Sequence, residues 1–388
     1  MIIYLLIFLV TLALAFASFN KPILSAPFFF GYCLLIGIFV GISDMLGGYD
    51  RYIYAEAFQV QAWHIYDGDG FWNEDFNSLF GKEPVFGLIN SIIGFFTPNR
   101  YIFILIFTIL IYALLPVSMY KYTKNPFFCL TIFLGLIFFF SFTYLRQIMA
   151  CGICWLSFPY IAKKKFLKFL MLVTIATLIH NSAVYFIILY FLPKKKYAPN
   201  NIIILMVGVF LLGLTGITRE LFLFSGDFVQ NAKISGYAQT AEYSFRIEYV
   251  IEAILFLAIL LMNYDKIKVE KESLMILNIY LMFCGILLLF CRSSDGGRIA
   301  WYCTIGPMII LSDFCLSSSA RFLRFIVSLM MFVLYFRIIN AWGFLLLPYK
   351  TFFSEGYRQG DVIRDRYEYD FNYDTDKFYN INFEKRNR

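Results

Sequence analysis

The sequence predicts an all-α protein: a polytopic integral membrane bundle of about 10–12 spans plus re-entrant or interfacial segments. Three observations predict it. Only 15% of the 388 residues are charged and 60% are hydrophobic, too little charge to cover the surface of a soluble protein of this length. Apolar runs of about 17–20 residues recur, the length that crosses a hydrocarbon core. Those runs, such as "YIFILIFTILIYALLPVSMY" at 101–120, lack the period-2 alternation of barrel strands, which leaves helices as the spanning structure.

The first run, Met1 to about Phe19, has no positive n-region and no small-residue cleavage site before a soluble domain, so it reads as a retained span. Further spans are expected at 28–43, 101–119, 127–145, 147–162, 201–218, 247–263, 273–291, 299–316 and 325–347. Two segments fit less simply. "PVFGLINSIIGFFTP" (84–98) is short and bounded by prolines, and 166–192 is too long for one span and is interrupted by His180-Asn181-Ser182. Residues 1–347 form the expected transmembrane catalytic domain, with a large outer loop at 44–83. Residues 348–388, with eight basic and eight acidic residues and no apolar period, read as a flexible polar tail.

Lysines set the orientation. They cluster at 121–124, 163–168, 194–196 and 266–271, and the positive-inside rule places all four on the cytoplasmic side. The second and third clusters share a side only if 166–192 enters the membrane and returns, with His180 at the turn. Segment 84–98 then dips in from outside or lies at the interface. The loops at 44–83, 219–246 and 292–298, the turn near 146 and the tail fall outside. The net charge of +7 is mostly loop lysine, which suits a cytoplasmic (inner) membrane and gives no reason to invoke nucleic acid.

The outer side instead carries arginines: Arg51, Arg100, Arg146, Arg219, Arg246, Arg292 and Arg298. Guanidinium forks bind phosphate bidentately where lysine does not, so an outward cavity for a phosphate-bearing substrate explains the set. Scattered solvent contacts and helix-end snorkelling are the plainer reading of any one of them. Arg337, mid-span in "MMFVLYFRIINAW", is expected to face the bundle interior and pair there. The 44–83 segment mixes carboxylates with many aromatics, a composition that suits sugars and offers a general base; a solvated aromatic belt is the alternative. "DGDG" at 67–70 lacks the rest of a calcium loop. His180 is a donor, a proton carrier or a simple tie between helices. Arg292, Asp295 and Arg298 surround a Gly-Gly turn that could grip a pyrophosphate. Cys151 and Cys154 form a C-x-x-C without a second pair or a nearby histidine, and all eight cysteines lie in or beside spans as small core residues. No metal or cofactor is expected.

The order "GGYDRYIYAEAF", "KEPVFGLIN", "YLRQIMACGICWLS", "HNSAVYF" and "GRIAWYC" resembles the EpsG family of Wzy-type bacterial polysaccharide polymerases, from about residue 30 to about residue 310. The resemblance implies a membrane glycosyltransferase that joins oligosaccharide repeat units carried on undecaprenyl pyrophosphate, at the outer face of the cytoplasmic membrane, into O-antigen, capsule or exopolysaccharide. Its matching positions are Asp50, Tyr54, Glu83, Arg146, Gln147, His180 and Arg298. The chain departs from the family pattern before the G-x-D element, where Asp44 stands in the neighbourhood of a family arginine; neighbouring Arg51 is the replacement to consider.

On this reading Asp50, Glu83 and His180 are the candidate catalytic groups. Arg146, Arg292 and Arg298 are the candidate pyrophosphate holders, and Tyr54, Gln147 and Arg51 the candidate glycan contacts. The expected partners are the undecaprenyl-pyrophosphate-linked oligosaccharide, the lipid bilayer and a chain-length regulator protein. Three alternatives stay open: a transferase using a polyprenyl-phosphate sugar, a glycan ligase, and, in a different class, a flippase for lipid-linked oligosaccharide.

Overall fold

The computed structural model describes residues 1–20, 25–218, 245–293, 296–354 and 356–383. Among these the chain is helical throughout, with one isolated antiparallel bridge, Ser43 to Thr351. It divides into two compact units.

The first unit comprises 1–157, 170–184 and 321–388. Its helices are α1 (Ile2–Asn20), α2 (Ala26–Gly41), α3 (Tyr49–Asp67), α4 (Glu74–Phe80), α5 (Pro84–Gly94), α6 (Arg100–Tyr122), α7 (Pro126–Leu136) and α8 (Leu145–Leu156). Most of α10 (Phe166–Thr177) belongs to it as well. So do α16 (Arg321–Ala341), α17 (Gly343–Leu346) and α18 (Val362–Tyr367). The tightest pair is α2 with α6. Gly37 and Gly41 make it possible: a methyl group at either would lie 2.6 Å from Tyr112 Cβ or 2.8 Å from a Leu105 methyl. This is the small-xxx-small solution by which helices approach closely where lipid removes the hydrophobic drive.

The second unit comprises 158–169 and 185–320. It holds α9 (Phe158–Ala162), α11 (Ile188–Phe191), α12 (Pro199–Leu214), α13 (Ile247–Met262), α14 (Lys271–Leu289) and α15 (Ile305–Phe314). Helix α14 is central, packed by α12, α13 and α15. Its basic loops meet at one end. Lys194 Nζ donates to the Ile161 carbonyl, and Lys196 Nζ donates to the Ile267 carbonyl at 2.9 Å. Burial, then Lys164 and Lys271, hold the Lys194 pKa below its ordinary value. Three lysine clusters thus share one end, as the charge pattern expects. The ends of 166–192 pair through Phe166–Tyr190 (5.0 Å) and Phe169–Tyr190 (5.1 Å), so this segment does double back. Its helix stops at Thr177, and a 3-10 stretch resumes at Asn181.

Among the described residues, four helices reach the length and apolarity of a span: α1, α6, α14 and α16. Several expected spans are broken instead. Span 127–145 ends as a helix at Leu136 and continues as a 3-10 turn over Phe138–Phe142. Span 147–162 breaks at Ser157, just before Pro159, whose ring prevents an uninterrupted helix. Span 299–316 starts as a 3-10 stretch, Gly296–Cys303.

Three expectations need correction. The outer loop 44–83 is largely helix. Gly47 and Gly48, at φ +108° and +110°, turn the chain into α3, and Gly68 ends it in the left-handed region. Arg337 is exposed rather than interior and lies about one turn before the end of α16. The tail is folded, not flexible, through residue 383. Tyr373 is fully buried, and Lys377 reaches Asp44 at 3.1 Å. Arg100 holds Glu368 bidentately at 2.9 and 2.6 Å. The Arg100 guanidinium also lies 3.9 Å from the Tyr373 ring centroid. All eight cysteines are buried and unbridged.

Candidate functional site

Four segments of the first unit converge on one ion pair. Glu83 precedes Pro84, which starts α5 at a position where its missing N–H is not needed. Arg146 is the second residue of α8. An Arg146 Nη1 hydrogen donates to Glu83 Oε2. The other carboxylate oxygen, Oε1, accepts from the Asn181 backbone N–H at 3.0 Å. The break after α10 supplies that N–H. The same break is pinned to α5, because Val85 N–H donates to the Leu178 carbonyl at 3.0 Å. His180, next in chain to Asn181, has Nδ1 at 2.8 Å from Ser182 Oγ.

Aromatic rings form the rest of the wall. The Arg146 guanidinium carbon lies 4.7 Å from the Tyr54 ring centroid and 5.4 Å from that of Phe86. Such stacking holds a guanidinium flat while leaving its edge to bond anions. Its Nε is buried without a hydrogen-bond partner among the described residues, while 26% of the side chain as a whole is exposed. Burial pushes the Tyr54 phenol well above its ordinary pKa. Arg146 opposes that shift, and Asp50 and Glu83 add to it. Tyr54 is therefore a neutral donor at physiological pH. Asp50, in the first turn of α3, acts on the same phenol and on the Arg146 guanidinium, so it lies within electrostatic reach of the pair.

The structure thus brings together Asp50, Tyr54, Glu83, Arg146 and the His180 turn. Gln147 is adjacent in sequence and buried. Arg51 does not join them as a glycan contact. It is 0% exposed, and its donors go to the Val40 carbonyl (2.8 Å), Ser43 O and Oγ (3.1 and 2.7 Å) and the Phe142 carbonyl. It ties the end of α2 to the turn before α8. Asp44 is also structural, accepting from Tyr101 Oη at 2.9 Å. Arg292 and Arg298 belong to the second unit. Arg292 Nη1 donates to the Leu214 carbonyl at 3.1 Å, closing the end of α12, and Arg298 lies in the 3-10 stretch within electrostatic reach of Tyr249. Arg219 and Asp295 lie outside the described residues. Sequence reasoning did not single out Phe86 or the Asn181 backbone N–H. The proline-started helix in "KEPVF" is the one local signal for the first; the second needs the fold.

The EpsG family profile matches residues 28–351, most of the chain and all of these positions. The chain belongs to the EpsG family. EpsG proteins are Wzy-type polysaccharide polymerases, and with its apolar helices this member is a multi-pass membrane protein. No curated protein and no solved structure matches it. Every element of the Glu83–Arg146 site lies inside the EpsG match. Most of the folded tail, beyond residue 351, lies outside it.

Proposed function

We propose that this EpsG protein polymerises oligosaccharide repeat units carried on undecaprenyl pyrophosphate, at the outer face of the cytoplasmic membrane, through the Glu83–Arg146 site. What supports the reading is the pairing itself: a stacked, partly exposed arginine beside a carboxylate already fixed by a backbone N–H.

In the reaction, a hydroxyl oxygen of the incoming unit attacks the anomeric carbon of the growing chain. The bond from that carbon to the pyrophosphate oxygen breaks, and the lipid pyrophosphate leaves with the electron pair. Arg146 exchanges its Glu83 partner for the pyrophosphate and stabilises the charge that develops there. Glu83, released from its cation but still held by Asn181 N–H, takes the hydroxyl proton. His180, oriented through Ser182, and neutral Tyr54 donate hydrogen bonds to glycan or phosphate oxygens. Guanidinium supplies the electrostatics that a metal supplies elsewhere. Holding two lipid-anchored substrates in register contributes the remainder. Arg292 and Arg298, in the second unit, are proposed as anion holders in their own right.

The test is polymer length in a host lacking its own polymerase. Arg146→Ala, Glu83→Gln and Arg298→Ala should each leave single repeat units on the lipid. Normal long-chain polymer from Arg146→Ala and Glu83→Gln together would remove the site from the chemistry. A single added sugar in place of a ladder would favour a simple transferase.

A further inference from the structure

Helix α3 has a second working face. Tyr54 points to Arg146, whereas Glu56 is two residues on, about 200° around the helix. From Glu56 the face continues through Val60, Trp63 and Asp67 at helical spacing. Glu56 and Asp67 on it are exposed, and Val60 and Trp63 half-buried. The tail faces it across a cleft of about 430 Å³, closed on the far side by Tyr369, Asp370 and Asn380. That volume falls within the roughly 300–1,000 Å³ of small-molecule sites.

The walls are held in place. Gln59 donates to Tyr373 Oη at 2.7 Å and accepts from Tyr369 Oη, so one side chain of α3 fixes two tail tyrosines. The buried Arg100–Glu368 pair anchors the same stretch. Tyr369 nonetheless stays 40% exposed, with Trp63 half-buried across from it.

The lining has a definite chemistry. Aromatic faces accept the apolar C–H face of a sugar ring, and carboxylates and amides bond its hydroxyls. Among the described residues, three carboxylates, Glu56, Asp67 and Asp370, line the cleft and no lysine or arginine does, in a chain whose net charge is +7. His64, the remaining ionisable group of positive sign, is bracketed by Asp69 and Asp75. Such a lining repels anions. It is the opposite of the Arg146 site, and it belongs to the saccharide rather than to the pyrophosphate.

We propose that the cleft between α3 and the tail is a saccharide subsite that takes a neutral or amino-bearing stretch of the glycan and rejects carboxylate-bearing sugars. The proposal rests on the polymerase reading for the origin of its ligand. Its outer wall lies beyond residue 351, outside the family match.

The experiment is calorimetric titration of the purified full-length protein in detergent, without lipid-linked donor. The probes are tri-N-acetylchitotriose, its de-N-acetylated form and trigalacturonate. The first two should bind saturably and trigalacturonate at least tenfold more weakly. Trp63→Ala and Tyr369→Ala should each weaken the neutral probe at least tenfold, and the milder Trp63→Phe and Glu56→Gln give a graded loss if either alanine variant misfolds. Arg146→Ala should bind the neutral probe like the wild type while making no polymer. Absence of saturable binding, equal binding of trigalacturonate, or binding indifferent to Trp63 and Tyr369 would overturn the subsite. Polymer made by Arg146→Ala would instead overturn the catalytic assignment and leave the titration readable.

Discussion

Arg100→Ala should release the tail without unfolding the bundle. The Arg100 side chain is 0% exposed and its partner Glu368 4% exposed, with both carboxylate oxygens engaged. Four tyrosine rings surround the guanidinium, at 3.9 to 5.9 Å from its central carbon. Removing the cation strands a buried carboxylate, a change that costs about 3–5 kcal/mol. At 1.4 kcal/mol per tenfold, that is roughly a hundred- to a few thousand-fold in the opening equilibrium of the tail. Helix α18 has six residues and cannot persist once undocked. Hydrogen exchange read by mass spectrometry should therefore show faster exchange at Arg364, Asp365 and Glu368, whose amides are bonded only within the docked tail, by that factor. Amides of α6 and α8 should be unchanged. The paired change Arg100→Met with Glu368→Leu should recover most of the protection, because no charge is left buried alone. Tail exchange within threefold of wild type in Arg100→Ala would refute the reasoning.

Other outcomes follow from the same geometry. Arg146→Lys should fail to restore polymer, since an ammonium cannot replace a stacked fork, while thermal stability in detergent stays near wild type; polymer at wild-type length would count against pyrophosphate binding. Arg51→Met should cost about 3 kcal/mol or more, as carbonyls of Val40, Ser43 and Phe142 lose buried donors, and should lower Tm rather than alter chain length in the folded fraction. Gly47→Ala should destabilise by about 1–3 kcal/mol, because the site has φ +108° and the new methyl would lie 2.7 Å from Phe142 Cβ. Asp370 is half-buried, and burial raises its carboxyl pKa. A raised folded value means the docked tail binds the proton more tightly, so Asp370 weakens docking at neutral pH and the penalty fades as pH falls through the raised value. Asp370→Asn should accordingly slow tail exchange at neutral pH, with the difference vanishing on acidification; a constant difference across pH would exclude this origin.

The spans and basic clusters were legible because hydropathy and lysine placement are local properties. Helices α6 and α14 coincide with expected runs, and the charge pattern alone required 166–192 to double back. The break at His180 followed from that requirement. Helix α3 was not legible as a helix. Its buried face is built from Arg51, Tyr54, Phe58, Gln59 and Gln61, so polar residues that look like loop are in fact inside, where Arg51 and Gln59 find hydrogen-bond partners for their polar atoms. The tail escaped for a related reason: its tyrosines and phenylalanines dock singly on α3 and α6, without periodicity. Glu83 and Arg146 were both readable as candidates, but they are 63 positions apart, and nothing local pairs them. Arg51 shows the converse. Residue type and position pointed to substrate, and only the fold reveals three carbonyl-bearing residues already using its donors.

The eight buried thiols give this protein a silent background for labelling. None of them is exposed to a polar reagent. A cysteine placed at exposed Asp69, beside the cleft, or at exposed Lys168, among the basic loops, should then be the single reactive thiol in the chain. With whole cells and a membrane-impermeant maleimide, the two positions become opposite reporters. Labelling at 69 and silence at 168 would place the cleft outside the cell, and the reverse would put it in the cytoplasm.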